Sequence, residues 1–174
     1  MYKVKGKPWA YSGAIDVSDC STAKEVMIKA NLNFEVDKCE LVGKMPIKLT
    51  CTDEELDRII KEQKNGAHVF GTDIYRKCDN AFATYRTDCN IPLGTVRNKY
   101  TIVQNNEAFN FFDDAIGKNS AIWQTAGFWG NGERIFVSAK LPNNFLVKDD
   151  PVENYLVFTN THDGSGGVKI LFTP

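Results

Sequence analysis

The sequence predicts an α+β fold, in which an antiparallel sheet of several strands packs with about three helices. Three observations lead to this prediction. Short alternating or apolar segments follow one another through short turns, which favours antiparallel pairing. Three other segments have helical periodicity and helix-capping residues. Finally, 174 residues without an internal repeat are the length of a single domain, expected to span 1–174.

The composition is typical of a soluble globular protein, with 43% hydrophobic and 25% charged residues and a net charge of −1. This net charge identifies no partner, so a nucleic-acid surface would require a local basic patch. Residues 101–174 carry five basic and eight acidic side chains. That balance argues against a nucleic-acid surface in the last third of the chain.

The five cysteines are widely spaced, contain no CxxC pair and are accompanied by only two histidines. This pattern predicts no zinc site, and nothing in the sequence predicts another metal or a cofactor. The N-terminus has no signal-peptide apolar region, and no apolar run has the length of a membrane helix. We therefore expect a cytoplasmic protein with free thiols and no contact with a membrane.

The domain is expected to have three sections. Residues 1–19 form an N-terminal arm, which either packs on the core through Trp9 or contacts a phosphate backbone through its alternating lysines. Residues 20–66 form a section of helix, hairpin and helix. Residues 67–174 contain the main sheet and the third helix.

The first helix begins with a capping box, Thr22 and Glu25. Its apolar stripe consists of Ala23, Val26, Met27 and Ala30. Two short strands are expected next, around Phe34–Val36 and at Leu41–Val42, with a turn at 37–38 or 43–44.

The second helix has the same kind of start, with Thr52 as the cap and Glu55 completing the box. Its predicted buried stripe is Leu56, Ile59 and Ile60, and Asn65-Gly66 is its predicted end. A further short extended piece is expected between the two helices, at Met45–Leu49.

The centre of the chain, Leu93–Gly117, predicts a strand followed by a helix. The strand includes Val96 and the run Tyr100–Val103, and it is preceded by turns at Asn90–Gly94 and by strands at Ala67–Tyr75 and Phe82–Asp88. A polar corner, Gln104-Asn105-Asn106, supplies the N-cap as Asn105 or Asn106. The helix, 106–116, is predicted to bury Ala108, Phe111, Phe112 and Ala115.

The last third predicts a succession of strands. A hairpin joins Ala121–Phe128 to Glu133–Leu141 through a turn with the sequence Trp-Gly-Asn-Gly. A loop at Pro142–Pro151 precedes a buried strand at Tyr155–Phe158. A glycine-rich turn and a closing strand at Val168–Phe172 complete the sheet.

A set of motifs occurs in a specific order, densest from Phe82 onward. It consists of Tyr85-Arg86-Thr87-Asp88, Leu93-Gly94-Thr95-Val96, Tyr100, Val103-Gln104-Asn105, Ala108-Phe109, Phe111, Thr125-Ala126-Gly127, Gly130 and Gly132, and Thr159 to Ser165. This order resembles the DUF932 family of phage/plasmid-like proteins, over roughly Trp9 to the end. The resemblance implies a mobile-element protein in a bacterial cytoplasm and no particular activity or catalytic residue. Family members usually continue past Pro174, so it also implies a natural short form or a truncated one.

The best candidate for a nucleic-acid surface is the stretch 75–100. Its candidate binding residues are Arg76, Lys77, Arg86, Arg97, Lys99, Tyr85 and Tyr100. Basic grooves with aromatic platforms hold single strands with little sequence reading. The alternative is structural: the aromatic rings lie in the core, and Arg86 pairs with Asp88 or with another carboxylate.

A second candidate site combines the polar corner with the glycine-rich loop. Its candidate ligand residues are Gln104, Asn105, His162, Asp163 and Ser165. Such loops can hold phosphate through backbone N–H groups, but this one lacks the Gly-Lys-Ser/Thr ending of a P-loop. A bulged hairpin turn and a capped corner are the structural alternatives.

The sequence thus leaves three functions open. The first is a non-enzymatic nucleic-acid-binding protein acting through the 75–100 surface. The second is a protein-interaction module, such as an inhibitor of host defence or a phage assembly partner. The third is a hydrolytic or phosphoryl-transfer enzyme, which requires His162, Asp163 and a second acidic residue to converge in one pocket.

Overall fold

A computed structural model of the protein describes residues 13–46, 52–62, 68–70, 73–116, 122–142, 145–147 and 150–173. Three helices lie in these ranges: α1 (Ala23–Lys29), α2 (Asp53–Glu62) and α3 (Asn105–Ile116). The strands are β1 (Ile15–Asp16), β2 (Val36–Pro46), β3 (His68–Phe70), β4 (Asp73–Arg86), β5 (Pro92–Arg97), β6 (Ile122–Trp129), β7 (Arg134–Lys140), β8 (Phe145–Val147), β9 (Asp150–Val152), β10 (Tyr155–Thr161) and β11 (Lys169–Thr173).

The strands form two main antiparallel sheets and a small hairpin. The larger sheet has five strands in the order β1-β6-β7-β10-β11. The second has four, in which β4 lies between β2 and β3 and also pairs with β5. Strands β8 and β9 pair with each other. The predicted α+β class with antiparallel pairing is confirmed.

The main core cluster lies on the face of the five-stranded sheet that α1 and α3 cover. Phe109 of α3 meets Phe158 of β10, and Phe112 packs against both Phe158 and Trp123 of β6. These aromatic side chains are almost fully buried. Burying a large apolar side chain contributes about 1.5–3 kcal/mol, so this layer is a major source of stability.

The start of α1 is as predicted. Thr22 accepts from the Glu25 N–H, and the Glu25 carboxylate accepts from the Thr22 N–H, so both halves of the capping box are present. The predicted stripe is also found, since Ala23, Val26 and Ala30 are buried and Met27 is partly buried.

The start of α3 differs from the prediction. The helix begins at Asn105, so neither Asn105 nor Asn106 is its N-cap; Gln104 precedes it, and its carbonyl accepts from the Ala108 N–H. The predicted apolar face is wrong at Phe111, which is 57% exposed, while Phe109 is buried in its place. The apolar stripe is therefore shifted around the helix, because Phe109 rather than Phe111 faces the sheet.

The region predicted as two short strands and a turn after α1 is one continuous strand, β2. It pairs along almost its whole length with β4, which is 14 residues long. A bulge between Glu40 and Val42 absorbs the irregular register. The expected turns at 37–38 and 43–44 are thus wrong, because pairing with a long partner keeps both dipeptides extended.

Three further predictions are corrected in the middle of the chain. Strand β5 already begins at Pro92, after a turn in which Asn90 has a φ of 56°, so 92–94 is not a turn. The run Tyr100–Val103 is not a strand, since its backbone groups bond to side chains such as Lys38 and Asn160. The predicted loop at 142–151 contains β8 and part of β9.

The hairpin β6–β7, the strand β10 and the strand β11 lie close to their predicted positions. The helix α2 is also found, but the side chains of its predicted stripe lie outside the described residues, as do Trp9, Cys51, the Asn65-Gly66 helix end and Gly117. No helix in the described ranges is both long and apolar enough to cross a membrane.

The two sheets meet where β5 passes the loop after β10. A Cβ atom added at Gly94 would lie 2.5 Å from the backbone of Asp163, closer than real Cβ contacts. The side chain of Thr84 on β4 joins the sheets at the same place, because its hydroxyl donates to the His162 carbonyl at 2.6 Å. The contact therefore requires glycine on β5.

We predict that Gly94→Ala destabilises the protein, because the new methyl group pushes against backbone that has no rotamer to adopt. The free energy of unfolding should fall by about 1–3 kcal/mol, measured by urea titration. The matched control is Gly167→Ala, since nothing lies within 4 Å of a Cβ added there. Equal stability of the two variants would contradict a close contact between the sheets at Gly94.

Candidate functional site

Strand β10 and the residue that follows it separate two sets of side chains, because successive residues of a strand point to opposite faces. Phe158, Asn160 and His162 face the helices and are buried. Thr159 and Thr161 face the other side of the sheet. The two faces are described in turn, since each contains part of the predicted ligand loop.

On the inner face, His162 and Asn105 form a buried polar pair. The His162 Nε2 atom lies 2.8 Å from Asn105 Oδ1. The Asn105 amide nitrogen donates to the carbonyls of Leu32 at 3.0 Å and Phe34 at 3.4 Å. Asn105, the first residue of α3, therefore links this helix to the chain after α1 and to the end of β10.

The direction of these bonds defines the state of the histidine. The Asn105 nitrogen donates to two carbonyls, so its oxygen is the acceptor and His162 Nε2 carries the proton. His162 is 0% exposed, and this burial lowers its pKa to about 4. The imidazole is therefore neutral near pH 7.

The neighbouring amide side chains, of Gln104 and Asn160, also form hydrogen bonds with backbone groups. The Gln104 side chain donates to the Val36 carbonyl at 2.7 Å and accepts from the Val36 N–H at 3.1 Å. Asn160 donates to the Val103 carbonyl at 2.9 Å. Asn105 and His162 are thus removed from the predicted ligand residues, because both are buried and hold backbone or each other, and Gln104 is occupied by the β2 backbone.

Arg86 is also part of the interior, so its expected place on an exposed basic surface is wrong. It is only 8% exposed, and its guanidinium carbon lies 4.0 Å from the centre of the Phe34 ring. It bonds Asp88 through two nitrogens, at 3.0 and 2.7 Å, and donates to the Asn131 carbonyl. The hydrogen bond from Arg86 lowers the pKa of Asp88 to about 2. The structural alternative for Arg86 is the one observed.

Two other cations of the 75–100 stretch do not share a face of β4. Arg76 and Lys77 are both exposed, but as neighbours on β4 they point to opposite faces. Lys77 forms an ion pair with Glu40. Tyr85 is half-buried in β4.

The end of β5 lies elsewhere, beside the glycine-rich loop. Tyr100 donates its hydroxyl to the Thr161 carbonyl at 2.8 Å, and burial raises the pKa of Tyr100. Gly164 packs against Thr95 and Val96. Arg97 and Lys99 are exposed, and they lie in the sequence between Val96 and Tyr100, which make these contacts.

On the outer face, strand register brings a second set of side chains together. Trp129 is opposite Arg134, which is opposite Thr161, and Thr159 is opposite Lys169. Directly opposed residues share a face, and so do Thr159 and Thr161, two positions apart. Together with the loop residue Ser165 they form what we call the outer groove, lined by Trp129, Arg134, Thr159, Thr161, Ser165 and Lys169.

Arg134 is held in the outer groove by the loop. It donates to the Ser165 hydroxyl at 3.0 Å, and its Nε lies 3.5 Å from an Asp163 oxygen. Partial burial raises the pKa of Asp163, but hydrogen bonds from Ser165 and the charge of Arg134 outweigh this and hold the pKa below its usual value. Of the predicted ligand residues, Ser165 therefore lines the outer groove and Asp163 lies beside it.

The groove residues on the strands were not singled out from the sequence as a binding site. Their signal is the alternation along β10 combined with the register of β7 and β11, and the register depends on pairings that no local motif specifies. The acidic balance over residues 101–174, which argues against a nucleic-acid surface there, is an average that does not reveal that Arg134 and Lys169 share a groove.

The convergence required by the enzyme hypothesis is not present. His162 lies buried on Asn105, whereas Asp163 lies by Arg134, beside the outer groove. Within the described ranges, no three residues among His, Cys, Asp and Glu form a group that could hold a metal ion. The glycine-rich loop is thus a strand connection whose hydrophilic residues order the groove.

We predict that Asn105→Ala destabilises the protein by about 2–4 kcal/mol, because buried carbonyls and the His162 N–H lose their partner. Asn106→Ala is the matched control, since Asn106 is exposed and bonds only the N–H of Glu107 within its own turn. Urea unfolding of the two variants checks this. Similar losses would contradict the central role of Asn105.

We also predict an acid sensitivity that comes from His162. The folded-state pKa of about 4 is below the ordinary 6.5, so the unfolded chain binds the proton first. Stability is therefore fully present above pH 6.5 and falls as the pH decreases towards 4, by roughly 3 kcal/mol. Unfolding of His162→Gln across this range should show a smaller slope than the wild type. Parallel profiles would contradict the assignment.

The comparisons with known proteins agree with the motif order. Residues 92–174 match the family model described as "Domain of unknown function (DUF932)". The match begins at β5, so the resemblance before Pro92 stays a prediction. Neither the comparison with curated proteins nor that with solved structures gave a match. The matched region contains α3, the β10 strand and the whole outer groove, and it assigns residues 92–174 of this chain to the DUF932 family.

Proposed function

We propose that the protein binds single-stranded nucleic acid, without catalysing a reaction, in the outer groove. The observation that supports this most directly is an exposed aromatic ring beside two cations on one sheet face. Trp129 is 38% exposed, and Arg134 and Lys169 are exposed in the same groove. Stacking on a ring and neutralisation of phosphate are the two contributions on which sequence-tolerant single-strand binding depends.

The arrangement of Arg134 favours this function over a purely structural role. The ionic and hydroxyl contacts from the loop orient the guanidinium, yet its side chain remains 53% exposed. An oriented arginine can form paired hydrogen bonds with a phosphate at a lower entropic cost than a mobile one. The Gly-rich loop therefore contributes by positioning a cation.

The same proposal includes part of the stretch 75–100. Tyr100 and Gly164 bring the end of β5 against the loop, and Arg97 and Lys99 are exposed there. A single strand leaving the groove on this side would pass two further cations. In this proposal Arg97 and Lys99 extend the site, and Arg76, Lys77 and Tyr85 belong to a separate part of the surface.

A second candidate function, a protein-interaction module, is favoured by one observation on β11. This strand ends the order of the five-stranded sheet in the described residues, and its Ile170, Leu171 and Phe172 are exposed, Phe172 by 74%. An apolar edge strand can accept a strand from another protein. A pull-down from bacterial lysate that depends on Phe172 would favour this candidate.

For the cellular setting, we propose the cytoplasm of a bacterium that carries a phage, prophage or plasmid. The four cysteines in the described ranges, Cys20, Cys39, Cys78 and Cys89, are free thiols. Thiols persist in a reducing compartment, which supports this location. The mobile-element origin is supported by the resemblance of the motif order alone.

We predict that Lys169→Gln weakens binding of a fluorescent single-stranded DNA by about threefold to tenfold at low salt, because one phosphate contact is lost. Lys24→Gln is the control, because this substitution removes the same charge from an exposed position on α1. Fluorescence anisotropy over a salt series measures both affinities and salt slopes. The slope should decrease for Lys169→Gln alone. Absence of binding by the wild type at low salt would refute the proposal.

A further inference from the structure

Two neighbouring cavities share Trp129 and Arg134, and their chemistry differs. The smaller, of about 210 Å³, is the outer groove itself. The larger, of about 420 Å³, lies between Trp129, Gly130, Glu133, Arg134 and Asp163. Because the two shared residues form the boundary, a ligand bound in one cavity can extend directly into the other.

The smaller cavity is suited to an anion. Its lining includes the cations of Arg134 and Lys169 and the hydroxyl-bearing residues Thr159 and Ser165, and no lining residue is acidic. Thr161 also lines it, but its hydroxyl oxygen is buried. Arginine, lysine and hydroxyl groups are all donors to phosphate oxygens. Register supports the grouping, because Thr159 and Lys169 are paired across β10 and β11.

The larger cavity is suited to an aromatic group that donates hydrogen bonds. One side is the Trp129 ring, which is itself held by the Phe136 ring at 4.9 Å between centroids. The lining also carries two carboxylates, Glu133 and Asp163. Asn131 fixes the Glu133 carboxylate through its backbone N–H at 2.6 Å, and Ser165 donates its N–H to Asp163 at 2.8 Å. Each carboxylate oxygen retains further acceptor capacity.

We propose that these cavities hold one nucleotide unit, with its phosphate between Arg134 and Lys169 and its base stacked on Trp129. The carboxylates of Asp163 and Glu133 then accept hydrogen bonds from the base edge. This inference rests on the proposed function and adds a preference to it. The preferred bases carry an exocyclic amino group, as cytosine and adenine do.

Thymine is disfavoured for an electrostatic reason. Its base edge offers a single N–H between two carbonyl oxygens, and those oxygens would lie near the carboxylates. Cytosine presents its amino group to an acidic side chain in the pairing that carboxylates use in nucleic-acid readout. The site therefore discriminates by the number of N–H donors on the base edge.

The test compares oligonucleotides of equal length made of dC, dA or dT, by fluorescence anisotropy with the full-length chain. We expect dC and dA to bind about tenfold more tightly than dT, the discrimination of one carboxylate–amino contact. In Asp163→Asn the affinities should converge, mainly through weaker dC and dA binding. Lys169→Gln should weaken all three equally, because it removes a phosphate contact.

A second measurement needs no variant at Asp163. Titration of dC into the Trp9→Phe variant should quench tryptophan fluorescence, and adding Trp129→Phe should abolish this quenching, while the buried Trp123 remains as an internal reference. Equal affinities for dC, dA and dT would overturn this inference and leave the proposed function standing. Quenching that persists without Trp129 would overturn the stacking on Trp129, and with it the assignment of both proposals to the outer groove. Absence of binding to all three would refute the proposed function itself.

Discussion

The hydrogen bond between His162 and Asn105 is the interaction on which the arrangement of the elements depends. It joins the end of β10 to the first residue of α3, and the Asn105 amide extends it to the chain that leaves α1. The His162 carbonyl accepts in turn from Thr84 of the second sheet. Two helices and both sheets therefore meet at these polar side chains within the apolar core. A buried network of this kind favours one arrangement, because another would leave the Asn105 amide and the His162 Nε2–H without the partners they have here.

Arg86 shows the same principle with a charged group. A guanidinium can be buried when its hydrogen bonds are satisfied and its flat surface meets an aromatic ring. Asp88 and the Asn131 carbonyl meet the first condition and Phe34 the second. Arg86 thus closes the end of the core beside Phe34, whose ring also packs against His162. The Arg86 and Asp88 of the Tyr-Arg-Thr-Asp motif therefore stabilise the folded structure.

Those parts of the fold that local signals determine could be predicted from the sequence. The capping box of α1, the hairpin between β6 and β7 and the final strand all depend on residues a few positions apart. The length of β2 could not be predicted, because it is set by pairing with β4, about 40 residues away. Phe111 and Phe109 both fit a helical stripe, and only the position of Phe158 selects between them. Likewise, the glycine-rich sequence around Asp163 and Ser165 indicates a candidate loop, whereas only strand register makes Arg134 and Lys169 neighbours.

The alternation along β10 has a consequence for how this protein can change over time or be engineered. The side chains of 158, 160 and 162 are constrained by the core, while those of 159 and 161 lie on the groove side of the sheet. The two sets are interleaved in sequence yet separated by the thickness of one sheet. The groove side of β10 can therefore change in sequence while the interior stays constant. A combinatorial library restricted to 134, 159 and 169 would vary the groove while leaving the buried positions of β10 unchanged.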